Sequence, residues 1–321
     1  MRAALLVLGY AAVLAWVLPL PLRRLSEAGL SPRLGLTAWL TALISVLGCA
    51  LAALGLLIRA AVTGWPQFAR SVCESVSAGA CPPAVYRSSA YEAGLAGLAF
   101  LGGMTMIGLA WRYGRSLHRS SVRTRAHAEA ARITGRRNRT GHESGVFVLE
   151  AAQPAAYSVP GRPPAIVVTS GALAVLDSGQ LTAVLRHERA HLTGRHHLLL
   201  AITRSLAAIV PGVPLFERAG TEVTRLAEMR ADDVAARHGE RRTLLSALLT
   251  MGAGPGTGTG TGSAPPAWLA ATGGVIAARM QRLANPPART RSLGQGLVLL
   301  TLTAAIVAAS ALVPVFALAG A

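Results

Sequence analysis

The feature that most constrains this chain is a set of apolar runs long enough to cross a bilayer. About 20 residues of helix span the ~30 Å hydrocarbon core. Residues 3–22, 34–62, 90–111 and 297–318 meet that length, the second interrupted only by Arg59. The first run ends at Arg23 and Arg24, with Pro19 and Pro21 just before them. A cleaved signal peptide carries its charge ahead of the apolar core and small residues at the cut. The first run therefore reads as a retained span. A further apolar stretch over 197–216 is broken by Arg204, Pro211 and Pro214. It reads as a buried or membrane-skimming helix.

Loop charge predicts the orientation. Between the third run and Glu143 stand Arg112, Arg115, Arg119, Arg123, Arg125, Arg132, Arg136, Arg137 and Arg139, opposed only by Glu129. Arginine-rich loops stay in the cytoplasm, so this segment and the loop carrying Arg23, Arg24 and Arg33 are expected there. The loop between runs two and three is then outside. Its Cys73 and Cys81 are either a disulfide of that oxidising side or two free thiols. Cys49, inside the second run, reads as a small packing residue. The arginines are expected to face anionic membrane lipid, because no aromatic-interleaved or helix-turn-helix pattern accompanies them. No direct nucleic-acid partner is expected. All 31 basic residues are arginine. That excludes a P-loop lysine, a Schiff-base lysine and an S-x-x-K nucleophile site. With 52% hydrophobic and 14% charged residues, the chain suits several spans plus one moderate soluble domain.

From Ser144 the pattern changes. Residues 145–149 (GVFVL) and 165–169 (AIVVT) read as two short strands, with Pro154, Pro160, Gly161, Pro163 and Pro164 marking the turn between them. An edge strand at this place could hold an extended peptide by its backbone. Residues 252–266, rich in Gly and Thr, read as a flexible loop and not a phosphate loop, since no strand precedes them and no lysine follows.

Between these features lies H-E-x-x-H at 187–191, within a helical pattern that includes Leu181, Val184, Leu185 and Leu192. His187 and His191, four apart, stack on one helix face and can reach one zinc ion at roughly 2.0–2.1 Å. Glu188 is placed to take a proton from a metal-activated water. Without a C-x-x-C pair, a thiolate site is disfavoured. A catalytic zinc needs a third protein ligand and an open position. Downstream, residues 226–236 read as a second helix with Glu228 and Asp232 on one face. Glu228 is the preferred third ligand, and Asp232 would fix a ligand histidine from behind. Glu217, Glu222, His196, His197 and His238 remain substitutes. His196 or Arg225 could assist the transition state.

Residues 154–157, 165–173, 181–191 and 195–196 resemble the core of integral-membrane zinc metallopeptidases: the HtpX and CAAX-prenyl proteases and the BlaR/MecR antirepressor peptidases. In that group a later E-x-x-A-D supplies the third ligand, matching Glu228 to Asp232. Residues 279–283 (RMQRL) are similar to a stretch that follows in the family. The span arrangement is most similar to BlaR/MecR. The resemblance implies a mainly α integral membrane protein of about four transmembrane helices, with a cytoplasmic α+β zincin-like metalloprotease domain between helices three and four. The expected divisions are 1–111, 112–296 and 297–321. It also implies one Zn2+, a protein or peptide substrate such as a cytoplasmic transcriptional repressor, and a multi-pass place in a bacterial-type cell membrane. The BlaR/MecR penicillin-binding sensor with S-x-x-K has no counterpart before Ala321, so β-lactam sensing is not expected. Two other readings stand beside this one: an HtpX-like quality-control protease, and a non-catalytic signalling protein with a structural zinc.

Overall fold

The computed structural model describes residues 2–78, 83–134, 136–137, 145–161, 163–238, 241–252 and 267–319. Cys81 and all but the first residue of the Gly/Thr loop lie outside the described residues, as do the side chains of Cys73 and His238.

The chain opens with α1 (Arg2–Ala12), a π-helical turn (Val13–Val17) and α2 (Pro19–Glu27), bent by 41° at the junction. Pro19 has no N–H to continue the ladder, and the Leu18 N–H reaches back to the Val13 carbonyl at 3.2 Å. Then come the long helices α3 (Pro32–Ala78) and α4 (Pro83–Thr134), and the chain ends on α11 (Arg289–Ala319). Among the described residues, three stretches are long and apolar enough to cross a membrane: Pro32–Thr63, Ala93–Val122 and Thr290–Phe316. The bent pair makes a fourth if it counts as one span. Their outward faces carry exposed Leu51, Phe100, Ile107 and Phe316, the pattern that lipid solvates.

Between α4 and α11 lies the unit that contains the H-E-x-x-H stretch. Its sheet runs β1 (Arg136–Arg137), β2 (Val146–Leu149), β4 (Ala165–Thr169), β3 (Ala156–Val159) from edge to edge. β2 and β4 are parallel, and β3 is antiparallel to β4 with Tyr157 opposite Val167. All five residues of β4 are buried, as its β-branched run requires of a strand covered on both faces. The two expected strands form, but both are interior. The edge beside the chemistry belongs to β3, which falls where a turn was expected. Pro154 and Pro160 lie just outside this four-residue strand and do not interrupt it.

Helices α5 (Ser170–Val175), α6 (Ser178–Thr193), α7 (His196–Ile209), α8 (Pro214–Ala235), α9 (Arg241–Gly252) and α10 (Ala267–Ala284) complete the unit. Asp177 caps α6: its carboxylate accepts the Gln180 N–H at 2.8 Å, and the Gln180 side chain accepts the Asp177 N–H at 3.1 Å. Val184 and Leu185 of α6 pack toward the sheet with Val146, Ile166 and Val168. Its fully buried Ala183 joins Ala235 of α8, small side chains that let the helices approach closely. The other side of α8 enters the largest core, where Leu215, Val223 and Leu226 meet Trp39 and Leu22 of the N-terminal helices. Gly35 of α3 lies so close to Leu226 that a Cβ there would be 3.0 Å from its Cδ1. Thus α8 is shared by the apolar bundle and the inserted unit.

Candidate metal centre

His187 and His191 come from the middle and the last turn of α6, and Glu228 from α8, facing them. Their Nε2 atoms are 3.1 Å apart. Glu228 Oε2 is 3.5 Å from His187 Nε2, and Oε1 is 3.4 Å from His191 Nε2. Ligands about 2.0–2.1 Å from a tetrahedral ion are separated by roughly 3.3 Å. The three separations fit that edge length, so this set of two imidazoles and one carboxylate fits a zinc-sized ion.

Each histidine is held from behind. His187 Nδ1 is 3.1 Å from Asp232 Oδ1, and His191 Nδ1 is 3.0 Å from His196 Nδ1. Engaging both Nδ1 atoms leaves both Nε2 atoms for a ligand role. Gly194 makes room for His196, because a Cβ there would lie 2.5 Å from its Nε2. The next residue, Arg195, turns the chain between α6 and α7 in the left-handed region, at φ 49°.

A residue given no role by sequence reasoning completes the cluster. Arg279 of α10 grips both oxygens of Asp232, at 2.8 and 2.7 Å, and contacts Glu228 Oε2 at 2.9 Å. It thereby fixes the carboxylate behind His187 and orients the carboxylate that faces both Nε2 atoms. Asp232 and Arg279 are 1% and 8% exposed, so neither charge is compensated by water. Its signal in the sequence was the RMQRL stretch, which names the residue without naming its partners.

The charges perturb one another. Burial works against protonating His187, but Asp232 and Glu228 carry its pKa up to about 9. His191 moves the other way, to about 4, through burial and the positive neighbour His187. Burial opposes ionising Glu228, yet His187 and Arg279 hold its carboxyl down at about 2. Burial and Glu228 push the Glu188 carboxyl up, while His187 and hydrogen bonds from Ser158 of β3 restrain it. A carboxylate with a raised pKa is a better proton acceptor.

Glu188 and the three potential ligands open onto one cavity of about 410 Å³, walled by Tyr157 and Ser158 of β3 and by Leu200 and Met251. His196 and His197 line the same space. Arg225 does not. Its guanidinium bonds Glu222 and the carbonyls of Ser26 and Glu27, so its expected part in the transition state is withdrawn. Those contacts also commit Glu222, and Glu217 accepts the Gly212 N–H at 2.8 Å. Neither belongs to the His187–His191–Glu228 group.

Residues 120–286, just over half of the chain, match Peptidase family M48. A protein described as "Protease HtpX homolog" from Acidiphilium cryptum (strain JF-5) is 38% identical over 68 residues, 20% of this chain. The match spans 23% of that relative's length. No solved structure matches the chain.

Proposed function

This chain belongs to peptidase family M48, and we propose that it is a membrane-embedded zinc endopeptidase with its catalytic unit on the cytoplasmic side. The observation that carries the reading is the triangle of His187 Nε2, His191 Nε2 and Glu228 at 3.1–3.5 Å, with Glu188 in the same cavity. A zinc ion in that set would supply Lewis acidity and lower the pKa of a water toward ~7.

The chain's own residues do the rest. Glu188 accepts the water's proton and passes it to the leaving amine. The edge of β3 aligns an extended peptide across the cavity. Asp232 and His196 keep the two imidazoles turned inward, and Arg279 keeps Asp232 and Glu228 in register. His196 contacts His191 through the ring nitrogen opposite the ligand atom, which favours an open catalytic site over one closed by a fourth side chain. The arginine bias after the third apolar stretch supports the cytoplasmic assignment.

Stoichiometric zinc in the purified full chain, together with a Glu188→Gln variant that keeps the metal but loses at least ~100-fold in peptide hydrolysis, is the expected result. Active Glu188→Gln protein, or wild-type protein without zinc, overturns the proposal. For the substrate, regulatory cleavage of a cytoplasmic repressor is the first reading. HtpX-like turnover of membrane proteins is the second, and the 68-residue match favours it. Proteomes of cells carrying wild type or Glu188→Gln separate them: one accumulating soluble repressor supports the first, many accumulating membrane proteins the second.

A further inference from the structure

A second cavity, of about 730 Å³, lies away from the metal centre between α4 and α7. Arg112, Arg115 and Arg119 line it from α4, and Arg204 enters from α7. Its floor carries a Ser116–Ser205 hydroxyl pair at 3.0 Å, a polar bridge that ties the two helices together. No carboxylate lines the cavity, and among the described residues none of the four arginines forms an ion pair. Four arginines lining one cavity without a counter-charge make the recess strongly positive.

The position of the recess narrows its occupant. On α4, exposed Phe100, Met104, Ile107 and Trp111 follow one another at helical spacing, forming a lipid-facing stripe within the stretch Ala93–Val122. The arginines begin one residue after Trp111, on the flank of the helix that turns from this stripe toward α7. An aromatic followed by cations at the end of an apolar stripe marks the headgroup level of a bilayer. An acyl chain could lie on the stripe while its phosphate enters the recess. Guanidinium forks pair well with phosphate oxygens, and the volume is within the ~300–1,000 Å³ range of small-molecule sites.

We propose that the Arg112–Arg115–Arg119–Arg204 recess is a binding site for the phosphate headgroup of an anionic phospholipid. It rests on the membrane placement proposed above and not on the peptidase chemistry. The test uses the full chain in detergent, titrated with phosphatidylglycerol or phosphatidylcholine and read by native mass spectrometry. One phosphatidylglycerol per chain is expected to be retained in preference to phosphatidylcholine. Replacing Arg115, Arg119 and Arg204 by Gln should weaken that binding ~100-fold, at about fivefold per arginine. The Lys triple variant should recover most of it. Arg24→Gln, outside the recess, should leave it unchanged. Equal retention of both lipids, or unchanged binding by the Gln triple variant, overturns the site. Competition by millimolar inorganic phosphate would show that free phosphate is the ligand and overturn the lipid assignment. Zinc content measured on the same samples keeps failure of this site distinct from failure of the peptidase reading.

Discussion

Helix α8 carries two sets of buried charge built from the same residue types, and only one of them is arranged to hold a ligand. Toward its N-terminal half, Arg225 is saturated by Glu222 and two main-chain carbonyls of α2. One helical turn past Arg225 the second set begins, with Glu228 and Asp232 facing α6. The contrast is sharpest between neighbours. Asp233 meets Arg282 in a bidentate pair, and Arg282 also bonds the Gly29 carbonyl between α2 and α3. Asp232 meets Arg279, one turn before Arg282 on α10, but its other side faces His187, whose Nε2 is turned toward His191 and Glu228. All three guanidinium nitrogens of Arg225 and of Arg282 meet protein acceptors. The metal set leaves three ligand atoms facing one another. Charge burial alone does not make a site; ligand atoms left facing one another do.

Asp232 and Asp233 provide the largest test of that contrast. Asp232→Asn leaves buried Arg279 with Glu228 as its one remaining carboxylate partner among the described residues, at a cost of about 1–3 kcal/mol, and should weaken zinc binding ~10–100-fold. Asp233→Asn should lower Tm while leaving zinc stoichiometry unchanged. Metal analysis after chelator dialysis, paired with thermal melts, decides it; equal zinc loss in both variants would dissolve the distinction.

The proton on His187 gives the second test. Its pKa in the metal-free fold is raised from 6.5 to about 9. Protonation therefore stabilises that fold fully below pH ~6.5, and the contribution is lost as pH rises through 9. Zinc takes only the neutral ring, so its affinity should climb close to tenfold per pH unit from 6.5 to 9 and then level. Zinc titrations across that range measure the slope, and a flat profile would break the assignment.

Gly29 tests the anchoring set. Its φ is +58°, and a Cβ there would collide with the Met229 sulfur. Gly29→Ala should cost about 1–3 kcal/mol in thermal stability with zinc affinity intact. The smallest effect is expected at Arg23, half exposed and 3.9 Å from Glu222. Arg23→Gln should change stability by no more than ~0.5 kcal/mol in denaturant unfolding.

The parts of this molecule that are legible in the sequence follow from local periodicity. The spacing of His187 and His191 places them on one helix face whatever surrounds them, and Glu228 with Asp232 obeys the same rule on a later helix. The apolar stretches are legible by length alone. Arg279 is not, because its partner Asp232 is 47 residues away and no helical rule brings α10 to α8. Arg225 was misplaced for a related reason. It stands one turn before Glu228, yet its long side chain reaches the α2 carbonyls, which periodicity cannot foresee. β3 was hidden by brevity, since four residues between prolines resemble a turn until β4 is there to pair with them.

That short strand has a consequence for selectivity. β3 ends the sheet, and Ser158 on it hydrogen-bonds Glu188, so its outer edge borders the carboxylate proposed as proton acceptor. Four residues offer a grip of about 13 Å on a peptide's main chain. Main-chain hydrogen bonding is nearly blind to side-chain identity, but it demands an extended partner. A helix or a paired strand has already spent those hydrogen bonds internally and presents nothing to dock. Susceptibility to cleavage would then be set by how often a target frees a strand-length stretch, so its local unfolding equilibrium becomes part of the recognition code.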